Sequence, residues 1–185
     1  MTIMVQHYFI GFKIPEKEAQ QLDQIRSKWE LQSTHKVIPH ASDLHITLLY
    51  LGAVEEKAMQ RLSERLNALQ ETCSSFDLTL KGVSSFGSPS NPRVVYVSTE
   101  EQDKLKLLQK NVKLIAESLN FKVDQKPFVP HITLAKKWKG KQDFNMDDKH
   151  IDQMNFMIKY FSIYSIHPQK TPSYHPVKSV VLKDQ

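Results

Sequence analysis

Apolar positions recur along the chain with two periods. Tyr8, Ile10 and Phe12 alternate within an apolar run and predict a strand. Pro15, Glu16 and Glu18 suit a first helical turn, and Ala19, Leu22, Ile25 and Trp29 continue at helical spacing. A polar, histidine-containing link leads to a strand over Leu44–Leu51, ended by Gly52. Ala58, Leu62, Leu66 and Leu69 form the stripe of a second helix. Phe76, Leu78 and Leu80 alternate as the next strand. Gly87, Ser88, Pro89, Asn91 and Pro92 crowd together and predict a loop over Phe86–Pro92. Val94–Val97 reads as a short buried strand. Leu105, Leu108, Val112, Ile115 and Leu119 step by three and four as a third helix. Pro130 precedes a strand over Ile132–Ala135, and Lys136–Lys149 reads as a polar loop. Two late strands fall around Tyr160–Ile166 and Val177–Leu182. No linker interrupts this series. It predicts one domain over residues 1–185, an α+β or α/β-like unit with two lobes built in two similar passes.

Composition narrows the class. A chain of 185 residues corresponds to about one domain and is long enough to bury a core. Apolar residues at 40% and charged residues at 24% exclude disordered and low-complexity classes. The single cysteine, Cys73, excludes an internal disulfide framework and a multi-cysteine metal site, and is expected to be a spare, partly buried thiol. No apolar run is long enough for a membrane helix, and no charged-then-apolar leader opens the chain. A reducing, cytoplasmic setting without membrane association is expected. The net charge of +5 fits an anionic ligand such as a phosphate ester, and fits a merely soluble surface equally well.

The decisive feature is a repeat. His45-Ile46-Thr47-Leu48 recurs 86 residues later as His131-Ile132-Thr133-Leu134. A shuffled chain of this composition would carry two copies of His-x-Thr-Leu about once in 2,000 trials, so duplicated structure is the better explanation. In a strand, residues i and i+2 share a face. His45 and Thr47 therefore point to one side, as do His131 and Thr133, while Ile46, Leu48, Ile132 and Leu134 face the core. If an approximate two-fold relates the lobes, both pairs converge in a cleft. Two imidazoles and two hydroxyls around one point suit a phosphodiester. One neutral histidine takes a proton from water, the other gives one to the leaving oxygen, and the threonines steady developing charge. The arrangement requires neither metal nor cofactor, and does not by itself say which histidine is acid and which is base.

At these residues the chain resembles the two-histidine (2H) phosphoesterase superfamily, and within it the bacterial and archaeal RNA 2',3'-cyclic phosphodiesterases, also called 2'-5' RNA ligases. The likeness extends through Asp43–Gly52 and Pro127–Lys136, the opening Tyr8–Phe12 followed by Pro15, Pro92–Val97 and Tyr174. The resemblance implies a bilobal α+β fold, with two pseudo-symmetric, antiparallel-rich lobes and flanking helices around a central groove. It implies hydrolysis of RNA 2',3'-cyclic phosphate ends to 2'-phosphomonoesters, with His45 as proton donor, His131 as proton acceptor, and Thr47 and Thr133 on the phosphate. A monomer is the expectation. Relatives often carry arginine where His7 and Lys136 stand here. Lysine keeps the charge but lacks the bidentate fork.

Other residues carry weaker signals. Arg93, Phe128 and Lys136 are candidates for substrate contact, and the run Lys136–Lys141 joins basic charge to Trp138 as RNA-binding surfaces do. His35, His40, His150, His167 and His175 show no ligand spacing and are expected on the surface. No Walker-type phosphate loop is present, so ATP-driven ligation has no support in the sequence. Two other readings stay open: a phosphodiesterase for a small cyclic nucleotide, and a non-catalytic RNA- or nucleotide-binding module.

Overall fold

The computed structural model describes residues 5–185; the first four, which the one-domain reading includes, lie outside them. The strands are β1 (His7–Lys13), β2 (His35–Val37), β3 (His45–Ala53), β4 (Phe76–Ser88), β5 (Asn91–Thr99), β6 (His131–Trp138), β7 (Met154–Ile158), β8 (Tyr160–Ile166) and β9 (Tyr174–Val181). The helices are α1 (Glu16–Lys28), α2 (Leu31–Thr34), α3 (Glu56–Asn67), α4 (Leu69–Thr72) and α5 (Asp103–Ser118), with a short 3-10 turn over Ala41–Asp43.

The strands form two antiparallel sheets, ordered β3-β1-β8-β9 and β2-β6-β5-β4-β7. Without the three-residue β2, the orders correspond strand for strand, with β3 matching β6. The architecture is the α+β, duplicated one that the resemblance implied. The lobes are not two consecutive halves, however. The first sheet draws β1 and β3 from early in the chain and β8 and β9 from its end, so the two lobes interleave. Helices α3 and α5 pack on the first sheet, whereas α1 packs beside β6 of the second. On α5, Leu105, Leu108, Val112 and Ala116 are buried, as the three-and-four spacing requires.

Local composition misled in four places. The predicted loop over Phe86–Pro92 is mostly the ladder of a β4–β5 hairpin, paired up to Ser88–Asn91 around Pro89 and Ser90. A register shift at Gly87 (φ +91°) absorbs the irregular residues, and Phe86 lies against Tyr96 with ring centroids 4.3 Å apart. Lys136–Trp138, assigned to a loop, continue β6, where Lys136 and Trp138 pair with β2. Strands β2 and β7 have no counterpart among the predicted elements. Three residues are too few for a period, and β7 is recruited to the edge of its sheet by β4.

Candidate active site

The two repeated motifs lie on β3 and β6, and each breaks its ladder at the same point. β3 pairs with β1 as Lys13–His45, Phe12–Ile46 and Gly11–Thr47, passes over Leu48, and resumes at Ile10–Leu49. β6 pairs with β5 as Ser98–His131, Val97–Ile132 and Tyr96–Thr133, passes over Leu134, and resumes at Val95–Ala135. Each leucine is thus one extra residue, a β-bulge. It reverses the alternation, so that two successive residues, Leu48–Leu49 and Leu134–Ala135, are buried. The residue five after each histidine, an odd offset, thereby joins the face of the histidine and threonine. His45, Thr47, Tyr50, His131, Thr133 and Lys136 all line one cavity of about 340 Å³. Each bulge carbonyl is taken up by a helix side chain. Gln109 Nε2 of α5 donates to Leu48 O at 3.3 Å, and Arg26 Nη1 of α1 donates to Leu134 O at 3.2 Å.

Both imidazoles are held alike. Nδ1–H of His45 donates to Asp43 O, and Nδ1–H of His131 donates to Val129 O, each at 2.7 Å. In the neutral ring that bond leaves the lone pair on Nε2. Thr47 Oγ1 lies 3.0 Å from His45 Nε2. The surroundings then diverge. His45 sits among Phe9 and Tyr174, with ring centroids 4.7 and 4.9 Å away, whereas His131 meets the Phe86 and Tyr96 rings at 5.1 and 5.3 Å. Burial pushes the His45 pKa down to about 4. Charge on His131 and Lys13 acts in the same direction, while the Asp43 carbonyl and carboxylate oppose the fall.

Asp43 organises this side. Its carboxylate is 3% exposed and accepts the N–H groups of Ser173 at 2.7 Å and Tyr174 at 3.1 Å. Lys13 Nζ lies 3.5 Å from it. One carboxylate thus ties the 3-10 turn and β1 to the β8–β9 connection, and presses Tyr174 against the His45 ring.

The remaining candidates separate cleanly. Lys136 lines the cavity; Arg93 is exposed on β5 and Phe128 packs against the core, both away from the lining. Trp138 turns inward to His35 and Phe144, at 5.4 and 6.0 Å, so the basic run presents lysines without a free stacking ring. His35 is a correction to the surface assignment. It is buried and bonds Pro92 O at 2.9 Å, and burial lowers its pKa. His167 and His175 are half-buried as neighbours, with rings 4.7 Å apart; His40 and His150 are exposed. Cys73 is buried, with Asn111 Nδ2 at 3.6 Å. Sequence reasoning missed Asp43, Phe9 and Tyr50 as lining residues. Aligning the two motifs five residues past the histidine would have found Tyr50 opposite Lys136; Asp43 faces Val129 in the same alignment and leaves no repeat signal. Among the described residues, no three His, Cys, Asp or Glu side chains gather as a metal site, and no helix is long and apolar enough to cross a membrane.

Residues 14–149 match the family model of the 2'-5' RNA ligase superfamily. The chain belongs to that superfamily. Within the 2'-5' RNA ligase superfamily, a Bacillus subtilis protein named RNA 2',3'-cyclic phosphodiesterase is 30% identical over 92% of this chain and 93% of its own length. A Geobacillus stearothermophilus protein of the same name is 29% identical over 95% of this chain, which spans 57% of that relative. E. coli LigT, solved in complex with 3'-AMP, shares the fold with a TM-score of 0.83 over 96% of this chain and 98% of its own, at 22% identity.

Proposed function

We propose that this protein hydrolyses the 2',3'-cyclic phosphate at the end of an RNA or oligonucleotide, leaving a 2'-phosphomonoester. The observation that carries this reading is the single groove shared by both His–Thr pairs and Lys136. The names of its curated relatives support it. His131 is the proton acceptor: its Nε2 lone pair takes a proton from water as the water oxygen bonds to phosphorus. The P–O3' bond breaks on the opposite side, and His45 Nε2–H, the proton donor, protonates the departing O3'. The Thr47 and Thr133 hydroxyls and the Lys136 ammonium hold the non-bridging oxygens. With its pKa near 4, His45 is neutral in the empty groove at pH 7. Solvent therefore supplies its proton as the substrate binds, because the anionic phosphate favours the imidazolium. After turnover the proton rests on His131, and solvent resets the pair.

The reaction runs on acid–base chemistry and needs no cofactor. The test is a short RNA ending in 2',3'-cyclic phosphate, incubated with EDTA. A 2'-phosphate should accumulate, and His45→Ala or His131→Ala should each lower the rate by roughly 10²–10⁴-fold. Wild-type turnover in both variants would dispose of the mechanism. The reading extends to a monomer in the reducing cytoplasm; a dimer in sedimentation would overturn the first part.

A further inference from the structure

Another cavity lies where the chain crosses between the two lobes. Its volume of about 590 Å³ is within the roughly 300–1,000 Å³ typical of small-ligand sites, which favour such boundaries. Three crossings wall it: Ile14 and Pro15 between β1 and α1, His40 and Ser42 between β2 and β3, and Lys159 between β7 and β8. Met157 and Tyr160, on either side of Lys159, line it while remaining 38% and 47% exposed, so its apolar wall is open to solvent. The polar groups lean to one sign. Lys159 forms no ion pair among the described residues. His40 Nδ1 accepts the Ser42 N–H at 3.2 Å, which in the neutral ring puts the proton on Nε2 as a donor. The acid on the wall, Glu16, already accepts Gln20 Nε2–H at 3.1 Å.

We propose that this cavity binds a small aromatic monoanion, and that its occupancy reaches the catalytic groove through Lys13. The rings pack against Tyr160 and the Met157 thioether, and the anionic head meets Lys159 and the His40 Nε2–H. An ammonium and a neutral donor beside an acid suit a single negative charge better than a multiply charged phosphate. Lys13 joins the two spaces. It lines this cavity, and its ammonium pairs with Asp43, which lines the catalytic groove and holds the His45 ring through its carbonyl. The charge on Lys13 opposes an imidazolium at His45, and the Asp43 carboxylate favours it. An anion beside Lys13 offsets that opposition, so the proton donor forms more readily. The binding site stands without the hydrolysis reading; its effect on rate rests on that reading.

The probe is 8-anilinonaphthalene-1-sulfonate, followed by the rise in emission when water is excluded from it. N-phenyl-1-naphthylamine, which keeps the rings and lacks the sulfonate, is its uncharged partner. Lys159→Glu should weaken binding of the sulfonate at least about tenfold and leave the amine unchanged, and Tyr160→Ala should weaken both. A sulfonate titration unchanged in Lys159→Glu, or equal weakening of both probes there, overturns the anion site. Displacement by adenosine 2'-monophosphate, with indifference to Lys159→Glu, puts the probe in the catalytic groove and overturns the site as well. With adenosine 2',3'-cyclic phosphate as substrate at pH 7, saturating sulfonate should raise kcat/KM by roughly 2- to 10-fold, tenfold being one pKa unit at His45. Lys13→Met, saturated with the probe, should show no rise. An unchanged or lowered rate in wild type overturns the coupling and leaves the site intact. A rise of the same size in Lys13→Met overturns the route through Lys13. If wild type turns over no cyclic phosphate, the hydrolysis reading fails, and the titrations still decide the site.

Discussion

Gly11→Ala probes the closest approach between β1 and the first motif strand. A Cβ at Gly11 would lie 2.3 Å from the Ile46 carbonyl oxygen and 3.2 Å from the Thr47 Cα, both backbone atoms. Ordinary C···O contacts fall near 3.3 Å, so the strands must part by about 1 Å. Overpacking of this kind costs about 1–3 kcal/mol, and alanine returns about 0.4–1 kcal/mol by restricting the unfolded chain. A net loss of up to about 2.6 kcal/mol follows, about 1.3 kcal/mol at the middle of both ranges. The displacement falls on Thr47, the partner of Gly11 in the ladder, and so moves the His45 pair relative to the His131 pair. A misplacement of about 1 Å at reacting groups can cost about 10²-fold in rate. Urea unfolding reads the first effect, and kcat on a 2',3'-cyclic phosphate under folded conditions reads the second. Gly82→Ala is the control, since its Cβ would meet nothing within 4 Å. If Gly11→Ala matched the control in both stability and kcat, the close approach would not be what positions the motif.

Arg26→Met removes the donor on the Leu134 carbonyl and leaves that oxygen unpaired. Because Arg26 is 3% exposed, the loss should be about 1–3 kcal/mol in urea, with little from its ion pair to half-exposed Asp23. Unchanged stability would mean that the bulge holds without its helix donor. The pKa of His45 is about 4 in the folded protein, against an ordinary histidine value of 6.5 that the unfolded chain retains. The unfolded chain thus binds the extra proton between those values, so stability is complete above pH 6.5 and falls as pH drops toward 4. From pH 7 to pH 5 the contribution is about 2 kcal/mol, and His45→Gln should flatten that part of the stability profile; a profile identical to wild type would refute the buried-neutral assignment. Lys136→Met should lower kcat/KM at least about tenfold by removing a charged contact to phosphate, with Lys136→Arg retaining most activity; equal values in both variants would exclude such a contact.

Much of this molecule was written in local order. The hydrophobic stripes of α1, α3 and α5 and the alternation at the start of β1 and β4 need only their own residues, because helix and strand periods are properties of a short segment. The repeated His-Ile-Thr-Leu carried the chemistry for the same reason: i and i+2 share a face in any strand. What the tertiary structure decided depended on contacts between distant segments. The ladders with β1 and β5 created the bulges at Leu48 and Leu134, and with them the turn of Tyr50 and Lys136 into the groove. Interleaving of the two ends of the chain brought Ser173 and Tyr174 onto Asp43, and the meeting of the sheets joined the two motifs in one cavity. Burial among Phe9 and Tyr174 then set His45 apart from His131. An identical four-residue motif cannot encode that asymmetry, because it arises from desolvation by residues far away along the chain.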